Sequence, residues 1–408
     1  MRSRPYTFSQ PAPGLTTKAL QAILALHACG LLVWLLLPAG TGVLAKDSPR
    51  AQYLLYVGTY TKAESKGIYV YRYDGSSGKA TSLGLAAETV NPSFLTSDPA
   101  HRFLYAVNEV EAYKGATSGG VSAFAIDQQT GKLGFLNEVA SRGADPCYIA
   151  FDKTGRYVLV ANYTSGNIAV FPVSKDGRLG ESSAFVQHSG KGVNPERQEG
   201  PHAHWIETTA DNRYAIAADL GLDEVLVYRF DAQDGSLKAN DPPYVKVDAG
   251  SGPRHLAFGP DEKFAYLLSE MKSTVTVFAF DASRGVLHPV QTISTLPKGF
   301  SGTNDAAEIH VHPNGKFLYA SNRGNDSIAS FAIDQHTGLL TAIGHVSTQG
   351  KTPRNFEIDP TGSRLLVANQ DTGNIVVFHL DQQTGRLTPA DEVLKVPSPV
   401  SLDFVPED

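Results

Sequence analysis

The chain has 408 residues, 42% of them hydrophobic and 19% charged, with 38 glycines, 24 prolines and a formal net charge of −6. That length admits one large or two ordinary domains, and the Gly and Pro content suits many short strands and turns. The acidic balance removes support for nucleic-acid binding, which favours a basic surface.

In chain order, the first segment is unlike the rest. Arg2, Arg4 and Lys18 precede an apolar run from Ala19 to Leu37, and the small residues Val43 and Ala45 follow. A basic start, an apolar middle and a small-residue exit predict a signal peptide over residues 1–45, cut after Ala45, with export to the periplasm or beyond. The alternative is an uncleaved membrane anchor, because the run nearly reaches the roughly 20 residues that a spanning helix needs. No other membrane contact is expected. Lipid attachment at Cys29 is disfavoured by the long apolar stretch after it. Cleavage would leave Cys147 as the one remaining cysteine, so neither an intrachain disulfide nor a thiolate zinc site is expected.

Residues 46–408 repeat one phrase: an alternating strand, an aromatic-x-apolar-Asp ending, a polar turn with Gly, then usually Leu. The copies include "FAIDQQTGKL" at 124, "YRFDAQDGSL" at 228, "FAFDASRGVL" at 278 and "FHLDQQTGRL" at 378. The aromatic anchors are Tyr71, Phe124, Phe171, Tyr228, Phe278, Phe331 and Phe378, spaced from 47 (Phe124 to Phe171) to 57 residues (Phe171 to Tyr228). Each unit reads as an apolar strand, a turn such as "PNGK", a second strand, a polar turn, a third strand and a looser fourth. Period-two patterning between Gly, Asn and Asp turns is a hairpin signature. Four antiparallel strands per repeat of roughly 50 residues predict an all-β, seven-bladed β-propeller in one domain. The C-terminal "SPVSLDFVPED" has only a first strand, and the N-terminal "YLLYVGTYT" starts with a second. Pairing the two closes the ring and removes its edge strands.

The first strand of each blade should line the central channel, and its start should meet the end of the second strand at one mouth. Counting across the 260–263 turn sets Arg254 opposite Glu270. The equivalent pairs are Ser93 with Glu109, Cys147 with Tyr163, Ala307 with Arg323, and Arg354 with Gln370. Tyr60 takes this place in the closing blade, and His202 or His204 in the irregular third blade. The residue just before is polar in every blade (Thr59, Asn108, Asn162, Asp219, Ser269, Asn322, Asn369) and reads as a structural turn residue. The mouth position itself differs from blade to blade, which suggests an asymmetric ligand.

Each of these residues also has a plainer reading. Arg254 and Glu270 can be an ordinary cross-strand ion pair. "PHAHW" puts His202 and His204 on one strand face, and "EIHVH" offers Glu308, His310 and His312, but a metal needs three or four converging ligands. His312 aligns with the turn residues Asp98, Asp152 and Asp359. Cys147 reads as a small buried hydrophobe. No phosphate-binding Gly loop and no G-x-S-x-G elbow occurs. Several arginines at one mouth favour an anionic ligand, since guanidinium forks suit carboxylate or phosphate.

The motifs "YVGTYT", "NPSFL", "QEGPHAH", "GPRHLAF", "AEIHVHPNGKFLYASNRG" and "TPRNFEIDPTG" resemble the seven-bladed lactonase family over about residues 53–405. That family includes propeller-type 6-phosphogluconolactonases and fungal carboxymuconate lactonizing enzymes. The resemblance implies a lactone hydrolase without metal or organic cofactor. By motif, its site of one His, two Arg and one Glu falls on His202, Arg254, Glu270 and Arg323. Further candidates for substrate contact are His204, His255, Arg354, Glu109, Tyr163 and Gln370. The arginines would hold the anion and stabilise an oxyanion, with Glu270 or His202 as general base. The expected partner is a small anionic lactone or carboxylate. The alternatives are the reverse, cyclising reaction and a non-catalytic envelope propeller that binds an anionic glycan or a protein. The leader is a departure, because the familiar bacterial enzyme acts on a cytoplasmic sugar phosphate.

Overall fold

The computed structural model describes residues 52–62 and 64–407. The predicted leader and its boundary at residue 45 lie outside them. The described residues form seven four-stranded antiparallel sheets and a two-stranded ribbon, Ala112–Tyr113 with Ala116–Thr117, and contain no helix. Blades 1 to 6 span 92–140, 146–187, 203–246, 253–294, 305–347 and 353–395. Blade 7 joins Gln52–Thr59 to Pro399–Pro406, in a ladder from Tyr53↔Pro406 to Gly58↔Ser401. This is the predicted closure. The first strands of neighbouring blades contact one another right round the ring, so they line its axis.

The core lies between blades. Alternation gives each central strand two apolar faces, and each face packs on the next sheet. Between blades 1 and 2, for example, Tyr105, Val107 and Val121 meet Ile149, Val158 and Val160. All seven aromatic anchors are buried.

Two repeated hydrogen bonds stitch blade to blade. The side-chain amides of Asn108, Asn162, Asn322 and Asn369 donate to the carbonyls of Val90, Ser141, Thr295 and Thr348, at the ends of the preceding blades' outer strands. These are the polar residues that the repeat comparison assigned to structure. In the other direction, the hydroxyls of Tyr56, Tyr105, Tyr266 and Tyr319 donate to Gly131, Gly177, Gly338 and Gly385 in the Gly-Leu turns of the following blades.

Gly338 shows why the turn needs glycine. Its φ is +69°, and an added Cβ would collide with the Phe264 ring of the preceding blade. Gly338→Ala should therefore lower stability by about 1–3 kcal/mol, read as a lower urea midpoint at constant m. An unchanged midpoint would mean that neither constraint operates.

His312 is a turn residue, as its alignment predicted. Its Nδ1 accepts from the Asn314 N–H at 3.0 Å and its Nε2 lies 2.8 Å from the Gly362 carbonyl.

Candidate active site

Each blade's inner strand breaks register at the same place near the mouth. In blade 4, Pro253 pairs with Ser269 and His255 with Leu268, so Arg254 is an extra residue. Cys147, His204, Arg354 and Val400 are the corresponding extra residues of blades 2, 3, 6 and 7. Hairpin counting set Arg254 directly opposite Glu270; the ladder instead ends one pair short, at Ser269. A bulge leaves one residue unpaired and re-aims its side chain, which is why bulges recur beside active sites. The same register settles the third blade, where His204 and not His202 holds the bulge position.

Arg254 and Glu270 still meet. Arg254 Nε donates to Glu270 Oε2 at 3.0 Å, and Arg323 Nη2, from the next blade, reaches the same oxygen at 2.8 Å. Arg197 Nη2 donates to Oε1 at 2.5 Å. Glu270 is 5% exposed, and Arg254 2%. Burial alone pushes the Glu270 carboxyl up, but Arg323, Arg254 and Arg197 outweigh it and hold the group down to about 2. Burial, with Arg323 and Arg354 nearby, pulls Arg254 down to about 10. The cluster is therefore one anion under three cations at neutral pH.

A cleft of about 260 Å³ opens above this cluster. Glu270, Arg323, Arg197 and Asp305 line it together with Tyr60, Glu109, Arg354, Cys147, Tyr163 and His204. Tyr60 donates to both Glu109 oxygens, at 2.8 and 2.9 Å. Arg354 lies 5.3 Å over the Tyr60 ring and 3.9 Å from Glu109. Among the described residues it makes no hydrogen bond, so its donors remain open to a ligand.

His204 is buried, with Nδ1 3.6 Å from Cys147 Sγ. Burial first, then Arg254, His255 and Arg354, holds it well below the ordinary histidine range, so the imidazole is neutral at pH 7. Burial pushes the Cys147 thiol up, which leaves it inert.

Four of the sequence candidates do not line the cleft. Arg254 lies beneath it. His202 stacks on Tyr163 at 4.6 Å, with Nδ1 3.1 Å from the Tyr163 carbonyl and Nε2 3.2 Å from Glu199. His255 sits under Arg254, and Gln370 turns to Asp371 at 3.2 Å. The two His motifs do not converge, and among the described residues no group of three or more His, Cys, Asp or Glu is arranged to hold a metal ion.

With this geometry in place, residues 54–404 match the family described as lactonase, 7-bladed beta-propeller. The chain belongs to this lactonase family. It is 38% identical to the 6-phosphogluconolactonase of Bacillus subtilis over 76% of the chain and 85% of the relative. The 6-phosphogluconolactonase of Formosa agariphila is 36% identical over 75% and 86%. Among solved structures, the periplasmic gluconolactonase of Pseudomonas aeruginosa superposes with a TM-score of 0.82 at 38% identity, covering 88% of this chain and 100% of that one. A putative 6-phosphogluconolactonase from Bacteroides fragilis gives 0.81 at 40% identity, covering 87% and 98%.

The repeat comparison does not reach two residues of this lactonase's cleft, Arg197 and Asp305. Arg197 lies in residues 188–202, the longest connection between an outer strand and the next inner strand. That length was the available signal, since long connections often carry function. The loop is pinned: Asn194 Oδ1 accepts from the Glu196 and Arg197 N–H groups at 2.9 and 3.2 Å, and the fully buried Gln198 donates to the Leu220 carbonyl at 2.8 Å. Arg197 is thus delivered to Glu270 by an ordered segment.

Proposed function

We propose that the protein hydrolyses an anionic sugar lactone of the 6-phosphogluconolactone type. The observation that carries this reading is the cleft itself: Arg354 with unspent donors, Arg323 of the neighbouring blade held by Glu270, and a neutral imidazole, His204, from blade 3. Arg354, with Arg197, binds the phosphate or carboxylate. Arg323 faces the lactone carbonyl and stabilises the oxyanion.

In this reading His204 is the base. Glu270 is a poor proton acceptor, because three arginines hold its carboxyl near 2. His202 is outside the cleft lining. The bound anion offsets the fields of Arg254 and Arg354 and so raises the proton affinity of His204 when substrate is present. His204 takes a proton from water as the oxygen attacks the carbonyl carbon. The tetrahedral intermediate collapses, the ring C–O bond breaks, and the protonated His204 returns the proton to the leaving ring oxygen. The product is the open hydroxy acid, which ionises to its carboxylate.

The test is hydrolysis of 6-phosphogluconolactone and unphosphorylated gluconolactone by the purified protein, against the spontaneous rates. Arg354→Met should cut kcat/KM for the phosphorylated lactone by about ten- to hundredfold, the worth of about 1.5–3 kcal/mol for charge-assisted hydrogen bonds, and leave the neutral lactone much less affected. Spontaneous rates for every lactone would end the enzyme reading. The likeness to a periplasmic gluconolactonase favours a second reading, a neutral substrate, which equal turnover of both lactones would support. The same likeness and the basic, apolar, small-residue start of the chain support export by a cleaved leader.

A further inference from the structure

Beneath the cleft, a chain of buried hydrogen bonds leaves Glu270 and crosses four blades. Arg254 Nη1 donates to the carbonyl of Ala307 and lies 3.2 Å from His255 Nε2. A guanidinium has no lone pair to offer, so His255 Nε2 accepts and the ring proton sits on Nδ1. His255 Nδ1 accordingly donates to Glu308 Oε1 at 2.7 Å. The second oxygen of Glu308 accepts from Asn355 Nδ2 at 2.7 Å, and Asn355 Oδ1 accepts from the Leu402 N–H at 3.0 Å. His255, Glu308 and Asn355 are 2%, 4% and 3% exposed. They occupy the same register place in blades 4, 5 and 6, one residue beyond the bulge position.

Every member has a donor facing an acceptor in one polarity only. Reversing the His255 tautomer would set an imidazole N–H against an Arg254 N–H. The groups facing His255 are Arg254 and Arg354, which oppose its protonation, Glu308, which favours it, and the His204 and Tyr148 rings at 5.2 and 5.1 Å. Burial leads, and the ring is held down to about 4, so it stays neutral through the physiological range. Glu308, despite its burial, is held down to about 2, chiefly by His255.

We propose that Glu308 and His255 are positioning residues: the Glu308 carboxylate sets the His255 tautomer, which orients Arg254 and through it the Glu270 carboxylate that holds Arg323 at the cleft. This gives the Glu308 of "EIHVH" a task other than metal binding. The inference rests on the functional reading above only in that the Glu270 cluster serves the cleft.

Glu308→Gln tests it. An amide cannot accept from both His255 and Asn355, so the polarity breaks. The expected result is about a ten- to hundredfold loss of kcat/KM, the usual cost of removing an orienting partner, carried by kcat more than KM. Nitrogen-15 NMR of the histidine rings and the Arg254 Nε–H should show the Nδ1–H tautomer in the wild type, and its loss with a shifted Arg254 signal in the variant. A second pair covers a variant that folds badly. His255→Gln keeps one donor and one acceptor and should retain most activity, whereas His255→Leu keeps bulk alone and should not. The proposal is overturned if Glu308→Gln leaves the Arg254 signal and kcat/KM unchanged, or if His255→Leu matches His255→Gln. The NMR result stands even if no lactone is turned over, so failure of the functional reading is separable from failure of this one.

Discussion

Glu270→Gln is expected to abolish most activity and to cost the fold about 3–5 kcal/mol, the usual penalty for removing one partner of a buried ion cluster. The substitution is isosteric, so packing is preserved and the loss is electrostatic. Arg254 and Arg323, at 3.0 and 2.8 Å from one carboxylate oxygen, and Arg197 on the other would face a neutral amide with a single accepting oxygen. Arg254 suffers most, because at 2% exposure water cannot screen a cation left without its counter-charge. With Arg323 left on the Asp305 and Ala306 carbonyls and without its carboxylate partner, kcat/KM should fall by about a hundredfold or more, the scale of a lost oxyanion donor.

The pH dependence has a definite sign. Glu270 is held down to about 2 in the folded protein, from an ordinary 4.5. Its contribution is complete above pH 4.5 and is lost as pH falls towards 2, at about 3 kcal/mol in all. Urea midpoints measured across that window should fall less steeply for Glu270→Gln than for the wild type. Parallel curves would show that Glu270 titrates normally and would remove the basis of the clamp.

His204→Gln is expected to lower kcat by about 10²–10⁴ with little change in KM, the range for loss of a general base. His202→Gln should cost less than about tenfold by comparison, since it removes no cleft-lining group. Burial and the charges of Arg254 and Arg354 hold free His204 well below 6.5, so the acid limb of kcat/KM should lie well below that pH. The bound anion offsets those charges, so the acid limb of kcat should sit at higher pH than that of kcat/KM. Unchanged kcat in His204→Gln would move the proton transfer elsewhere, with Glu109 the next carboxylate in the cleft.

Much of the molecule was legible before folding was considered. Seven aromatic anchors, the Asp-to-Gly turns and the incomplete blade at each end are local patterns, and local patterns dictate strands and hairpins. The Asn that recurs before four of the mouth positions was legible for the same reason: it makes the same hydrogen bond to the preceding blade each time. Arg254, Glu270, Arg323 and Arg354 stood out because they break an otherwise shared position.

The misses have separate physical origins. Hairpin counting assumes an unbroken ladder, and the bulge inserts one residue per inner strand without changing the alternation that sequence shows. In the third blade it places His204, and not His202, in the cleft lining. Arg197 belongs to no repeat unit, so comparison of blades could not reach it. Glu308 looked like half of a metal motif, because spacing along one strand says nothing about His255 in the neighbouring strand.

The sequence alone therefore determined the repeat, the closed ring and the blades that carry charge, since these follow from apolar periodicity and turn chemistry within about 50 residues. Only the tertiary structure decided which charges share a carboxylate, which guanidinium is left unspent and which histidine faces the cleft. Those outcomes depend on angstrom-scale placement of side chains from different blades, where burial and neighbouring charge, rather than residue type, set the protonation of each group.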